Sequence, residues 1–380
     1  MQHQSKLPNI ETTIFAVMSS LANKYNALNL SQGYPNFKSD QKLFDLVAKA
    51  MDSGYNQYAH MYGNPDLRMT IKKKIELLYN TNYDPETEIT VTAGATQAIY
   101  TTISTFIRQG DEVIVFRPAY DSYIPSIEIN GGVPVSVQMQ TPDFKVDWEE
   151  VKQKISLRTK MIIINTPHNP SGTMLSKDDM LQLQELTKNT NIVVLSDEVY
   201  EHLVFDGLKH LSVCMFPDLK SRSFVVSSLG KTFHNTGWKI GYCCAPKELM
   251  DEFIKLHQFT VFSVNHPMQK GIADYMKEPK HYLELPEFFQ RKRDLFLDQI
   301  TDSRFKFRPS KGTYFQLLDY SEITRENDLE FAKRLIKDHG VASIPTSVFN
   351  ENKLDQKVLR FCFAKTDKTL IKAAEILSKL

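Results

Sequence analysis

The chain has 380 residues, 42% of them hydrophobic, which suffices for one large domain plus a smaller one and excludes global disorder. A formal net charge of +1 offers no electrostatic case for a nucleic acid or an acidic membrane surface as partner. The four cysteines, Cys214, Cys243, Cys244 and Cys362, form no CxxC pair, so zinc and redox-motif readings have no support and a reducing compartment is favoured.

Residues 1–8 hold no apolar core of signal-peptide length, and no stretch approaches a membrane span. The expectation is a soluble cytoplasmic protein. Residues 1–40 read as a polar arm with a short helical pattern over 15–21, ending in Gln32-Gly33-Tyr34-Pro35. A helix follows over 42–51. From 88 to 245 strand and helix patterns alternate. Strand-like runs cover 89–92, 112–116, 134–139, 160–165, 191–196, 223–227 and 240–245. Helical patterns lie between several of them, as at 96–108 and at 177–188, the latter with Ser176 as N-cap. This alternation predicts an α/β fold, a mainly parallel, doubly wound, seven-stranded sheet. Ligands of such sheets bind beyond the carboxyl ends of the strands. Helical patterns then cover 247–259 and 268–300, with breaks expected at Pro279 and Pro286. The remainder reads as strands at 305–307 and 314–317, a helix at 329–339, a strand at 358–363 and a helix at 369–380. That is a separate α+β unit. The expected division is an arm over 1–40 that joins the small domain, a large domain over 41–265 and a small domain over 266–380.

The chemistry concentrates at predicted strand ends. Lys231 follows the apolar run Phe224-Val225-Val226 within Ser227-Ser228-Leu229-Gly230-Lys231. Desolvation there lowers an amine's pKa and frees a neutral nucleophile for Schiff-base chemistry with an aldehyde cofactor. Asp197 ends the run Val193-Val194-Leu195-Ser196, a dry place for a carboxylate. It would keep the ring nitrogen of pyridoxal 5'-phosphate (PLP) protonated, although strand or helix capping is the simpler role of a lone Asp. Asn169, in Asn165-Thr166-Pro167-His168-Asn169-Pro170, and Tyr200 are suited to hold the O3' of that cofactor. The Asn169-Pro170 bond is a candidate cis peptide. Ala93-Gly94-Ala95-Thr96 joins a strand to a helix, so its N–H groups can face a phosphate, with Ser228 and Lys239 completing the cup. The alternatives are an ordinary tight turn and, for Lys239, a solvated surface lysine. Its neighbours in Gly237-Trp238-Lys239-Ile240-Gly241 argue for enclosure. Arg360, in Val358-Leu359-Arg360-Phe361, needs a partner: either an internal carboxylate or the α-carboxylate of a substrate. Tyr120 is placed to stack on a cofactor ring or to pack in the core.

These motifs in this order resemble the fold-type-I PLP-dependent aminotransferases of class I and II. Within them the chain is similar to the kynurenine aminotransferase and glutamine transaminase branch, and nearest to bacterial methionine aminotransferases. The likeness runs from Gln32-Gly33-Tyr34-Pro35 to Arg360-Phe361-Cys362-Phe363. It implies that Lys231 forms the internal aldimine and carries the proton, that Asp197 pairs with the pyridinium nitrogen, and that Asn169 and Tyr200 hold O3'. It implies a stacking role for Tyr120, phosphate contacts from Ala95, Thr96, Ser228 and Lys239, and a substrate-carboxylate site of Arg360, Asn169 and Gly33. Tyr58 matches a residue that reaches the neighbouring subunit's phosphate, which implies a homodimer with shared sites. The arm at Gly33 would close over substrate. The implied reaction is ping-pong transfer of an amino group from an uncharged L-amino acid, methionine first and glutamine or aromatic donors next, to a 2-oxo acid. No second arginine is evident for a distal carboxylate, and Phe15, Tyr34 and Phe262 are candidates for the side-chain pocket. Tyr120 departs from the Phe frequent in the kynurenine branch. A cysteine S-conjugate β-lyase and a non-catalytic PLP-binding sensor module are the rival readings. Sensor modules carry a DNA-binding domain, for which residues 1–40 are too short. An S-x-x-K acylase fails because Ser196-Asp197-Glu198 and Lys311-Gly312-Thr313 do not complete its motifs.

Overall fold

The computed structural model describes residues 5–8 and 10–380. Three N-terminal helices are each started by a side-chain cap. Thr13 caps α1 (Ile14–Lys24), which leads to β1 (Leu28–Asn29). Asp40 caps α2 (Gln41–Asp52), and Asn64 caps α3 (Pro65–Tyr79), with Pro65 in the first turn. Helix α3 lies outside the elements expected from the sequence. Its buried face mixes Leu67, Ile71 and Ile75 with Arg68 and Lys74, so the apolar stripe is interrupted.

The central sheet contains β2 (Ile89–Thr92), β3 (Glu112–Arg117), β4 (Val133–Gln138), β5 (Thr159–Asn165), β6 (Val193–Asp197), β7 (Ser223–Ser228) and β8 (Gly241–Cys244). Their order is β2-β8-β7-β6-β5-β3-β4. β8 is antiparallel to both its neighbours, β2 and β7, and every other pair is parallel. The expected mainly parallel, seven-stranded sheet is therefore present. Both faces are covered. Ile162, Ile164 and Val194 enter one core cluster, while Met161, Ile163, Val193 and Leu195 enter the other. Alternate residues of one strand thus serve opposite faces, which is why these strands read as unbroken apolar runs. Helix α4 (Ala95–Phe106) follows β2, and Ser176 caps Lys177–Thr187 in a capping box with Asp179.

Helices Lys247–Thr260, His266–Tyr275, Lys280–Leu283 and Leu285–Asp298 follow. Pro279 stands at an N-cap and Pro286 in a first turn, so both begin helices rather than break one. A Cβ on Gly271 would lie 2.4 Å from Val47, so His266–Tyr275 sits tightly on α2. The boundary expected at 265 falls immediately before this helix. A second sheet joins β9 (Phe315–Asp319), β11 (Ile344–Pro345) and β12 (Val358–Cys362), all antiparallel, in the order β11-β12-β9. Residues 305–307, expected as a strand, make a single bridge between Lys306 and Asp319. β1 pairs with β10 (Val341–Ala342), which stitches the arm to this C-terminal unit. Among the described residues, no helix is long and apolar enough to cross a membrane.

Candidate active site

β7 ends at Ser228 and turns at once into the short helix Leu229–Thr232, with Ser228 as its cap. That turn lifts Lys231 from the sheet edge into a cavity of about 290 Å³. Its Nζ donates to the Gly33 carbonyl and to the Tyr314 hydroxyl, each at 3.0 Å. Tyr314 also donates to the Gly33 carbonyl. Burial, aided by Arg360 and Lys239, pushes the lysine pKa down to about 8 against the opposing pull of Cys362 and Asp197. A substantial fraction of this amine is therefore neutral near physiological pH.

Asp197, the last residue of β6, is 3% exposed. Tyr123 donates its hydroxyl to Oδ2 at 2.5 Å, and the Val199 N–H reaches Oδ1 at 3.3 Å. Burial raises the carboxyl pKa to about 6 despite these donors. Asn165 ties the neighbouring loop to this strand end. Its Nδ2 donates to the Asp197 carbonyl at 2.8 Å, and its Oδ1 accepts the Asn169 N–H at 2.7 Å. Tyr200 is buried against the edges of Tyr314 and Phe315, with centroids 5.1 and 5.9 Å away. Burial raises its hydroxyl pKa far above the ordinary tyrosine value.

Arg360 on β12 is 1% exposed. It donates through Nη1 to Asn169 Oδ1 at 2.8 Å and through Nη2 to the Ser31 carbonyl at 3.1 Å. Its Nε has no partner among the described residues. The guanidinium lies 3.9 Å from the Phe315 ring centroid and 5.1 Å from that of Phe15. Both of its protein acceptors are neutral oxygens, so among the described residues it has no internal salt bridge. A buried fork with an idle donor is suited to an incoming carboxylate. The Asn169-Pro170 peptide is cis.

At the opposite end, Gly94 (φ 77°) caps α4 without a side-chain hydrogen bond. The first N–H groups of this helix, at Ala95 and Thr96, are thus left for an anion. Thr96 Oγ1 is 3.4 Å from the Tyr120 hydroxyl. Lys239 departs from expectation: it is exposed, not enclosed. It closes the turn Thr236–Trp238 in a left-handed conformation (φ 55°), which sends its side chain along the cavity rim toward Gly94.

The cavity gathers Gly33, Ala95, Thr96, Tyr120, Asn169, Asp197, Tyr200, Ser228, Lys231, Lys239 and Arg360. Phe15 and Tyr34 line it as well. Tyr58 does not; it is 81% exposed and meets the edge of Phe262, which also lies outside. A larger cleft of about 610 Å³, lined by Phe144, Lys145, Met174 and Arg308, holds none of the predicted residues. The smaller cavity is the candidate site, because the buried lysine amine, the buried carboxylate and the idle guanidinium converge there. Sequence reading missed Tyr123, Tyr314, Asn165 and Phe315 as members of this constellation. The contacts of Tyr123 and Tyr314 span 74 and 83 residues, with no local motif to announce them, whereas Asn165 reaches Asn169 only four residues on, inside a motif quoted for Asn169 alone.

The sequence matches the family model for aminotransferase class I and II over residues 25–377. It is 47% identical to the methionine aminotransferase of Escherichia coli, with 99% of this chain and 98% of that protein aligned. It is 35% identical to a probable N-succinyldiaminopimelate aminotransferase of Mycobacterium tuberculosis, covering 99% of this chain and 98% of that one. The fold superposes on the crystal structure of the E. coli methionine aminotransferase with a TM-score of 0.98, each chain covered in full. On a Thermus thermophilus aspartate aminotransferase the TM-score is 0.91 at 28% identity, again with both chains covered in full. The architecture is that of the fold-type-I transferases, and the chain belongs to the class I and II aminotransferase family as a transaminase.

Proposed function

We propose that the protein binds PLP in the 290 Å³ cavity and transfers the amino group of an uncharged L-amino acid, methionine first, to a 2-oxo acid. The observation that carries this reading is the pairing of a lysine amine with a pKa of about 8 with a buried arginine whose Nε is idle. One supplies a neutral nucleophile and the other a carboxylate anchor. The residues fit the cofactor. The open end of α4, with Ala95, Thr96, Ser228 and Lys239, suits a phosphate. Asp197 suits a pyridinium nitrogen. Tyr200 and the Asn169 Nδ2, which donates to no described protein group, suit O3', and Tyr120 suits the ring face. When bound, PLP supplies the electron sink that lets an amino acid lose its α-proton.

The protein's share of the work is placement and proton transfer. Arg360, with Asn169 and the Gly33 backbone, fixes the substrate carboxylate and so aims the α-carbon. Lys231, once released, removes the α-proton as a general base and returns it as a general acid. The pull of the cavity on its pKa keeps that amine neutral enough to act. Among the described residues, Arg360 and the rim lysine Lys239 are the only guanidinium and second ammonium on the cavity wall. With both assigned, none is left for a distal carboxylate, which favours uncharged donors. Phe15 and Tyr34 offer an apolar wall for such a side chain.

Tyr58 (81% exposed), Phe259 (84%) and Phe262 (49%) present aromatic surface to solvent. This supports a homodimer in which Tyr58 reaches the phosphate of the neighbouring site. The four cysteines are free and buried, which supports a cytoplasmic setting.

The test is the absorbance spectrum of the purified protein with PLP, before and after L-methionine without a 2-oxo acid. A visible band that converts to a near-ultraviolet one, and is absent in Lys231→Ala, supports the reading. A band unmoved by methionine sinks methionine as donor. No visible band in folded protein sinks the cofactor assignment. Sedimentation of the wild type against Tyr58→Ala and Phe262→Ser tests the dimer.

A further inference from the structure

Asp197 is held by a residue to which the proposed chemistry assigns no task. Tyr123 opens the helix Tyr123–Ile129, and its hydroxyl donates to Asp197 Oδ2 at 2.5 Å. The side chain is 3% exposed and lies behind Asp197 rather than on the cavity wall. Its ring meets the Tyr120 ring edge-on, with centroids 5.6 Å apart at 77°. Tyr120 does line the cavity. One buried side chain therefore braces both the carboxylate at the cavity floor and the aromatic ring on its wall.

The bond from Tyr123 occupies Oδ2. Oδ1 takes only the 3.3 Å contact from the Val199 N–H. We infer that Tyr123 is a positioning residue for the pyridine end of PLP, holding Asp197 ionised and rotated so that Oδ1 meets the ring nitrogen. This inference rests on the assignment of Asp197 proposed above.

The physical case is a competition. A carboxylate this deeply buried is pressed toward its neutral form, in which it cannot hold a proton on the ring nitrogen by charge. A hydrogen bond to the ionised form opposes that pressure. The donor must not titrate away. Burial and the adjacent Asp197 push the Tyr123 hydroxyl well above the usual tyrosine range, so it stays a donor at working pH. The same contact fixes the carboxylate's torsion, which a lone 3.3 Å backbone contact does not.

Tyr123→Phe removes only the oxygen and keeps the ring that packs on Tyr120. Two quantities are read: the dissociation constant of PLP from the apo-protein, and the ¹⁵N resonance of the pyridine nitrogen in protein loaded with ¹⁵N-labelled PLP. The expected result is PLP binding weakened about ten-fold or more, as for loss of a charged hydrogen bond, with the resonance moved toward deprotonated pyridine. Tyr123→His returns an aromatic N–H donor and should recover part of both changes, a rescue that a packing role does not predict. Affinity within two-fold of wild type and an unmoved resonance in Tyr123→Phe would overturn the inference. Asp197→Asn separates the two readings. If it moves the resonance and Tyr123→Phe does not, only the role of Tyr123 falls. If it leaves the nitrogen protonated, the Asp197 assignment falls and this inference with it.

Discussion

Glu201 faces away from the cavity, into a dry polar cluster behind the turn that carries Asp197 and Tyr200. Its Oε1 accepts from Lys74 Nζ at 2.5 Å, Ser227 Oγ at 2.5 Å and the Tyr242 hydroxyl at 3.0 Å. Its Oε2 accepts from the Tyr79 hydroxyl at 2.5 Å. The side chains of Lys74 and Glu201 are 1% and 3% exposed. Burial alone would raise the Glu201 pKa, but Lys74 and the hydroxyl donors win and hold it well below the ordinary glutamate value. Glu201→Gln keeps the shape and strands the Lys74 ammonium in the interior. Breaking one side of a buried pair costs about 3–5 kcal/mol. For 380 residues the unfolding entropy is roughly 0.8 kcal/mol/K, so Tm should fall by about 4–6 °C. The double variant Lys74→Met/Glu201→Gln removes both charges and should recover much of that loss. The sign with pH follows from the depressed folded pKa. The carboxylate's contribution is complete above the unfolded glutamate pKa of about 4.3 and is lost as pH falls below it. Wild type should therefore lose its advantage over Glu201→Gln as pH drops below that value. Calorimetry on the apo-protein decides: a Glu201→Gln Tm within about 1 °C of wild type at pH 7, or a double variant less stable than the single one, refutes the reasoning.

Other substitutions probe the cavity itself. Arg360→Lys loses the planar fork and should raise KM for the amino acid by about 10- to 100-fold while the PLP spectrum stays intact; an unchanged KM removes Arg360 from the carboxylate site. The rate at which apo-protein captures PLP should rise through about pH 8 as Lys231 loses its proton, and a midpoint near the ordinary lysine value of 10.5 would contradict the burial argument. The same shift means that the unfolded chain binds the proton more tightly, so apo-protein stability should gain from this group between those two pH values. Gly94→Ala forces a side chain onto φ 77° and brings its Cβ to 3.0 Å from Lys239 Cε; PLP affinity should drop about ten-fold, and wild-type affinity would detach this turn from the phosphate. Gly33→Ala places a Cβ 2.8 Å from Phe315 Cζ, and since that ring stacks on Arg360, KM should rise several-fold.

Much of the fold was legible because the inner strands β3, β5, β6 and β7 carry unbroken apolar runs, and each strand of the central sheet lies within a residue or two of its expected span. Ser176 announced its helix through its own hydroxyl. What stayed hidden was written in long-range contacts. Helix α3 buries Arg68 and Lys74 on the face that should have been an apolar stripe, and only the facing Glu201 makes Lys74 intelligible. The reversed direction of β8 has no local mark in Gly241-Tyr242-Cys243-Cys244. The cavity residues on strand ends were found because a lysine, an aspartate or an arginine beside an apolar run is conspicuous. Tyr123 and Tyr314 were passed over because a tyrosine near the core is not.

The turn from Asp197 to Glu201 shows how the fold separates scaffold from site. On the scaffold side the two carboxylates are well supplied: Glu201 takes four donors, and Glu198 takes Ser196 Oγ at 2.8 Å, the Val213 N–H at 3.2 Å and His210 Nε2 at 2.8 Å. On the cavity side capacity is left over: among the described residues Arg360 Nε has no partner, Asp197 Oδ1 has one long contact, and α4 begins without a side-chain cap. An unmet buried polar group costs about 1–3 kcal/mol, so a folded chain tolerates few of them. At the cavity, the idle Arg360 Nε stands where ligand atoms can meet it. The scaffold side makes this possible. Lys74, Tyr79, Ser227 and Tyr242 come from α3, β7 and β8, and by holding Glu201 they fix the turn whose other residues face the site. Charge satisfied behind the turn lets charge remain unsatisfied in front of it.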